Sequence, residues 1–133
     1  MNVVDMHCDT IYLLLKNKRA EKGGSLRENQ GHIDLLRLRD SGYLLQNFAL
    51  YVNMGRVENA WEEALALLSV YEEEMQKNQD LVAPVYRYDD IAENQKQGKI
   101  SSLLAVEEGG VCQVNVIILT PFSYRKCSFF TSP

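Results

Sequence analysis

Short apolar runs alternate with amphipathic ones along most of this 133-residue chain, and that order restricts the fold more than any other feature. Asn2 to Cys8 is rich in Val and reads as a buried strand, followed by a helical run from Ile11 to Lys16. Gly23-Gly24-Ser25 marks a loop, and His32 to Arg39 suits a short helix ending near Ser41-Gly42. Tyr43 to Val52 reads as a second strand. The longest helix is expected from about Val57 to Asn78, with Trp61, Leu65, Leu68 and Tyr71 at helical spacing. Glu62, Glu63, Glu72, Glu73 and Glu74 then fill its solvent side, a wet helix face rather than a metal site. Leu81 to Tyr86 is a short extended piece interrupted by Pro84. Asp89-Asp90 can cap a helix running to about Gln97, which Gly98 ends, and Ile100 to Val106 is the third good strand. Strands separated by helices predict a parallel α/β sheet with crossover connections.

Composition removes several classes of function. Eighteen acidic and fourteen basic residues give a net charge of −4, with no basic patch for a nucleic acid. No apolar run reaches the roughly 18 residues that span a bilayer, and the N-terminus lacks the pattern of a secretory signal. Cys8, Cys112 and Cys127 are odd in number and widely spaced, which fits a reducing cytoplasm better than a disulfide framework. The end of the chain is different in kind. All the acidic residues precede Gly109, and 112–133 carries only Arg125 and Lys126 as charges. The expected division is therefore 1–113 as the α/β part and 114–133 as a divergent tail, whose change of composition resembles a frame change or a truncated reading frame.

The chemistry concentrates in Asp5-Met6-His7-Cys8-Asp9, at the carboxyl end of the first strand. Strict alternation puts Asp5, His7 and Asp9 on one face and Val4, Met6 and Cys8 on the other. Three ionisable groups on an otherwise apolar strand are costly to bury without a partner, and a divalent cation is a fitting one for imidazole and carboxylate. Open α/β sheets and barrels also place their sites at strand carboxyl ends. His32-Ile33-Asp34 has the same spacing but sits at a helix start, where residues two apart diverge; Asp34 reads as a helix-terminus residue instead. Glu107 and Glu108 close the third strand before Gly109-Gly110, and alternation lets only one of them face the site. Cys8, of opposite parity to His7, reads as a buried structural thiol. The common nucleotide-binding and hydrolase motifs are absent.

Four of these segments, in order, resemble the N-terminal part of the membrane (renal) dipeptidase family of zinc metallopeptidases. They are 4–10 (VDMHCDT), 32–38 (HIDLLRL, with Leu36 where a proline is usual), 45–52 (LQNFALYV) and 98–110 (GKISSLLAVEEGG), so the resemblance covers residues 1 to about 113. It implies a (β/α)8 barrel with two zinc ions that hydrolyses dipeptides through a zinc-activated water. It maps His7 and Asp9 onto ligands of one zinc and Glu107, with Glu108 as fallback, onto the carboxylate bridging both; an acidic neighbour such as Asp5 would orient the ligands.

The same resemblance marks what this chain lacks. A (β/α)8 barrel takes about 250 residues, and the family's second zinc is held by histidines from later strands, whereas this sequence has only His7 and His32. The expectation is a partial, truncated barrel, inactive or weakly active by itself, with a dipeptide as substrate and no membrane or nucleic-acid partner. The alternative is a noncatalytic α/β fragment that forms a homo-oligomer or needs a complementing partner, because an unclosed parallel sheet leaves edges exposed. Val116 to Leu119 is a candidate to cover such an edge.

Overall fold

The computed structural model describes residues 2–107, 109–112 and 128–129. Glu108 and the divergent tail, with its Val116–Leu119 stretch and Cys127, fall outside the described residues apart from the two-residue strand at 128–129. The elements are β1 (Val3–Cys8), α1 (Thr10–Arg19), α2 (Leu35–Asp40), β2 (Tyr43–Leu50), α3 (Ala60–Lys77), β3 (Val82–Pro84), α4 (Tyr88–Lys96), β4 (Ile100–Val106) and β5 (Ser128–Phe129). A single turn of 3₁₀ helix, Gly109–Cys112, follows β4. Every strand pairing is parallel, in the order β1-β2-β4-β3 with β5 also on β4. This is the expected α/β sheet with crossover helices, the architecture of part of a (β/α) barrel.

Helix ends follow local chemistry. Asp34 caps α2 by accepting from the Arg37 backbone N–H at 2.9 Å, as expected for the second His-x-Asp triplet. Gly42 (φ +71) follows α2 and Gly98 (φ +71) follows α4, in the left-handed region that a side chain resists. Asn59 caps α3 through the N–H groups of Trp61 and Glu62. At α4 the expectation is corrected. Arg87 is the N-cap residue, and Asp90 lies a turn inside, reaching back to accept from the N–H groups of Tyr86 and Arg87.

The phase of α3 also differs from the sequence reading. Its buried stripe is Ala60, Ala64, Leu67, Leu68, Val70, Tyr71, Glu74 and Met75, while Leu65 is exposed. Glu74 is thus no solvent residue. Its carboxylate accepts from the Leu26 backbone N–H at 2.7 Å, fastening the loop before α2 to the helix. Glu63 and Glu73 are engaged as well, with Arg19 and Lys18 of α1.

Sheet register decides which side chains share the site. Tyr71 Oη of α3 lies 2.8 Å from Ser102 Oγ, and its ring meets Phe48 at 6.3 Å. Gln46, Phe48 and Leu50 align with Ser102, Leu104 and Val106, so this is the face covered by α3. Asn47, Ala49, Leu103, Ala105 and, one residue on, Glu107 belong to the opposite face. Pro84 has no N–H to give a second neighbour, consistent with β3 lying at the sheet edge beyond β4.

Candidate metal centre

β1 and β4 are not neighbours, since β2 runs between them. At about 4.8 Å per strand their backbones stand roughly 10 Å apart, a gap that the side chains close. His7 Nε2 lies 3.2 Å from Asp9 Oδ1 and 3.7 Å from Glu107 Oε2. Ligand atoms of all three residues fall within 4.8 Å of one another. The two triplets of the sequence separate cleanly: His7 and Asp9 meet across one residue, whereas Asp34 is committed to α2 and to the Arg37 guanidinium at 2.7 Å. Glu108, the fallback for Glu107, lies outside the described residues.

Asp9 is placed by what it does not do. It is the N-cap residue of α1 and of the type that best caps a helix, yet its side chain makes no capping hydrogen bond. Its carboxylate turns to His7 instead. Glu107 shows a second departure from ordinary satisfaction: its Oε2 is buried and has no hydrogen-bond partner. Burying an acceptor unpaired costs about 1–3 kcal/mol, and more when it carries charge. A cation among the three groups removes that cost.

The donor set fits such an ion. One imidazole nitrogen and two carboxylate oxygens suit zinc and its first-row neighbours. Two ligands about 2.0–2.2 Å from a tetrahedral zinc stand roughly 3.3–3.6 Å apart, and the observed 3.2 and 3.7 Å bracket that range. Three protein ligands leave a tetrahedral ion one open position. The side chains of His7 and Asp9 are about half exposed, 52% and 51%, so the group sits at an open end of the sheet. A 360 Å³ cavity lined by Tyr12, Lys16, Arg19, Arg56 and Glu63, among others, does not include it.

Strict alternation along β1 is corrected by the structure. Val4 aligns with Leu45 and Asp5 with Gln46, but Cys8 aligns with Phe48, so three steps of β1 span two of β2. This bulge-like slip puts Asp5 in line with Gln46, not with His7. Asp5 still reaches His7, through the main chain: its Oδ1 accepts from the His7 backbone N–H at 3.1 Å. Cys8 is buried in the core, as its parity to His7 suggested. Burial pushes its thiol pKa up against hydrogen bonds from Thr10, and the nearby Asp5 and Asp9 charges add to the rise. Sequence reasoning missed Asn47, whose side-chain amide Nδ2 donates to the Met6 carbonyl at 2.9 Å, inside the slipped region.

Comparison with known proteins places the chain in a family. A metallopeptidase from Rhodobacter sphaeroides, solved with a phosphinate mimic of the dipeptide L-Ala-D-Ala, superposes with a TM-score of 0.80 at 19% identity, over 96% of this chain and 44% of that one. Dipeptidase AC, a metallopeptidase of family M19, gives 0.80 at 21% identity, over 96% and 41%. An amidohydrolase from Pseudomonas aeruginosa gives 0.57 at 15% identity, over 93% and 30%. This chain therefore spans less than half the length of these proteins, and at such identities the likeness speaks for the fold. No curated protein sequence matches. The family model for membrane dipeptidases, peptidase family M19, matches residues 1–127, and on that match the chain belongs to the membrane dipeptidase family of metallopeptidases.

Proposed function

We propose that this chain carries the first part of a metal-dependent dipeptidase centre, with His7 and Asp9 as ligands of one zinc ion and Glu107 as the carboxylate shared with a second. The observation that carries this reading is the meeting of His7, Asp9 and Glu107 across an intervening strand, with Glu107 Oε2 buried and lacking a hydrogen-bond partner. Zinc held there supplies Lewis-acid polarisation of a peptide carbonyl and lowers the pKa of a water toward neutrality. The chain's own residues supply the frame. Glu107 projects from just past β4, Asp9 from the N-cap of α1, and the Met6–His7 backbone fixes where the imidazole points.

The substrate we propose is a dipeptide, and the chain by itself turns it over slowly or not at all. His32 is the only other histidine, and it precedes the N-cap of α2, so this chain has no further imidazole for a second ion. We place its work in the cytoplasm from the three cysteines, odd in number and widely spaced; no described helix is long and apolar enough to cross a membrane. The test is an assay of the zinc-supplied 133-residue chain against alanyl dipeptides, with a chelator control. Turnover at or near background is expected, and sustained chelator-sensitive hydrolysis contradicts the inactive half of the proposal.

A second reading, a noncatalytic fragment that self-associates, is favoured by one observation. Among the described residues β1 has a strand on one side only, and Val4 and Met6 on it are 53% and 52% exposed. Sedimentation of the metal-free chain followed by zinc titration separates the two: a monomer that then binds zinc favours the metal centre, and an oligomer that takes up none favours the fragment.

A further inference from the structure

We propose that Asn47 is a positioning residue for the metal centre, acting with Asp5 as a two-sided clamp on the peptide group between Met6 and His7. This rests on the metal-centre reading above and extends it to a residue outside the ligand set. The carbonyl of that peptide accepts from Asn47 Nδ2 at 2.9 Å, and its N–H donates to Asp5 Oδ1 at 3.1 Å. It is also the point where β1 slips one residue against β2, between the Asp5–Gln46 and Cys8–Phe48 pairings. A slip strips main-chain groups of their ladder partners. Here two side chains replace them, one on each side of a single peptide plane.

Asn47 makes this contact at a cost. It is 1% exposed, on the face it shares with Leu45, Ala49, Ser101, Leu103, Ala105 and Glu107, and its Oδ1 is buried with no hydrogen-bond partner. An apolar side chain would avoid an orphaned oxygen there. What the amide provides instead is the bond to Met6, one residue before His7. The leverage is large, because rotating the backbone by about 20° swings a ring nitrogen about 5 Å away by roughly 1.7 Å, against a coordination tolerance near 0.2 Å. Outer partners of metal ligands typically change metal affinity by about 10–100-fold.

The experiment measures zinc affinity by competition with a chromophoric chelator on the full chain, for wild type, Asn47→Leu, Asn47→Asp and the control Asn94→Leu. Asn94 is also a buried amide, bonded to the Ala83 carbonyl and Ser101 Oγ, so its loss reports general damage. The imidazole proton–carbon spectrum of the metal-free protein supplies a second readout, with His32 as internal reference. Zinc binding weakened about tenfold or more in both Asn47 variants, with His7 signals displaced or broadened and His32 and the Asn94 variant unchanged, is the expected result. Asn47→Asp keeps the side-chain shape and decides the matter if the Leu variant does not fold. Wild-type affinity and unchanged His7 signals in the Asn47 variants overturn the clamp and leave the metal centre standing. A wild type that binds no zinc overturns the metal centre itself, and the clamp with it.

Discussion

Asp34 is a buried carboxylate with every partner it needs, whereas Glu107 has a half-buried side chain whose Oε2 is buried without one. Burial pulls the Asp34 carboxyl up, but hydrogen bonds from the Arg37 side chain, the Arg37 and Asn29 backbones and the Arg37 charge outweigh it and hold it below its ordinary 3.8. The folded state therefore favours the carboxylate. Its stabilisation is complete above the unfolded value and is lost as pH falls below about 4 through the lowered folded value. Urea midpoints of wild type and Asp34→Asn should accordingly differ at pH 7 and converge below pH 4; a gap that persists in acid contradicts the assignment. Glu107 Oε2 has no hydrogen-bond partner, and that is the ground on which we propose it as a metal ligand. That His7 and Asp9 would meet was legible from their place at the carboxyl end of β1 and not from spacing, which His32 and Asp34 share without meeting. The position of Asp5 was not legible, since a one-residue slip leaves no trace in a single strand's sequence. Asn47 was hidden for the same reason: its function depends on which residue of β1 lies opposite.

Elements were easier to find than to orient. All three main strands and the long helix appeared at nearly their expected bounds, because an apolar run between Gly, Asn and Asp signals is a local property. The rotation of α3 was misread. Trp61, Leu65, Leu68 and Tyr71 make a plausible stripe, yet the helix turns Ala64 and Leu67 inward and Leu65 out. Glu74 goes inward with that rotation, and its partner, the Leu26 N–H, lies 48 residues away in sequence. No periodicity rule sees such a partner. Glu74→Ala leaves that buried N–H unpaired and should cost about 1–3 kcal/mol in urea unfolding, with Glu74→Gln, which keeps an acceptor, costing less. Gln76→Ala, on the exposed side of the same helix, should stay within about 0.5 kcal/mol. Equal losses at positions 74 and 76 would refute the buried tie.

At the scale of the molecule, the sequence order of strands and helices predicted the parallel sheet and its crossovers. It did not predict that the short Val82–Pro84 piece would join beyond β4, or that Ser128–Phe129 would pair there too, because edge pairing depends on partners distant in the chain. The site follows from this topology. β1 and β4 run parallel with β2 between them, and the side chains of His7, Asp9 and Glu107 meet at their carboxyl ends without either strand touching the other. If His7, Asp9 and Glu107 hold a metal, elemental analysis of zinc per chain in wild type and His7→Ala will show it. Close to one zinc or more per wild-type chain, lost in the variant, is the predicted result. Absence of zinc from both proteins, or equal zinc in both, contradicts the assignment of His7, Asp9 and Glu107 as a metal centre.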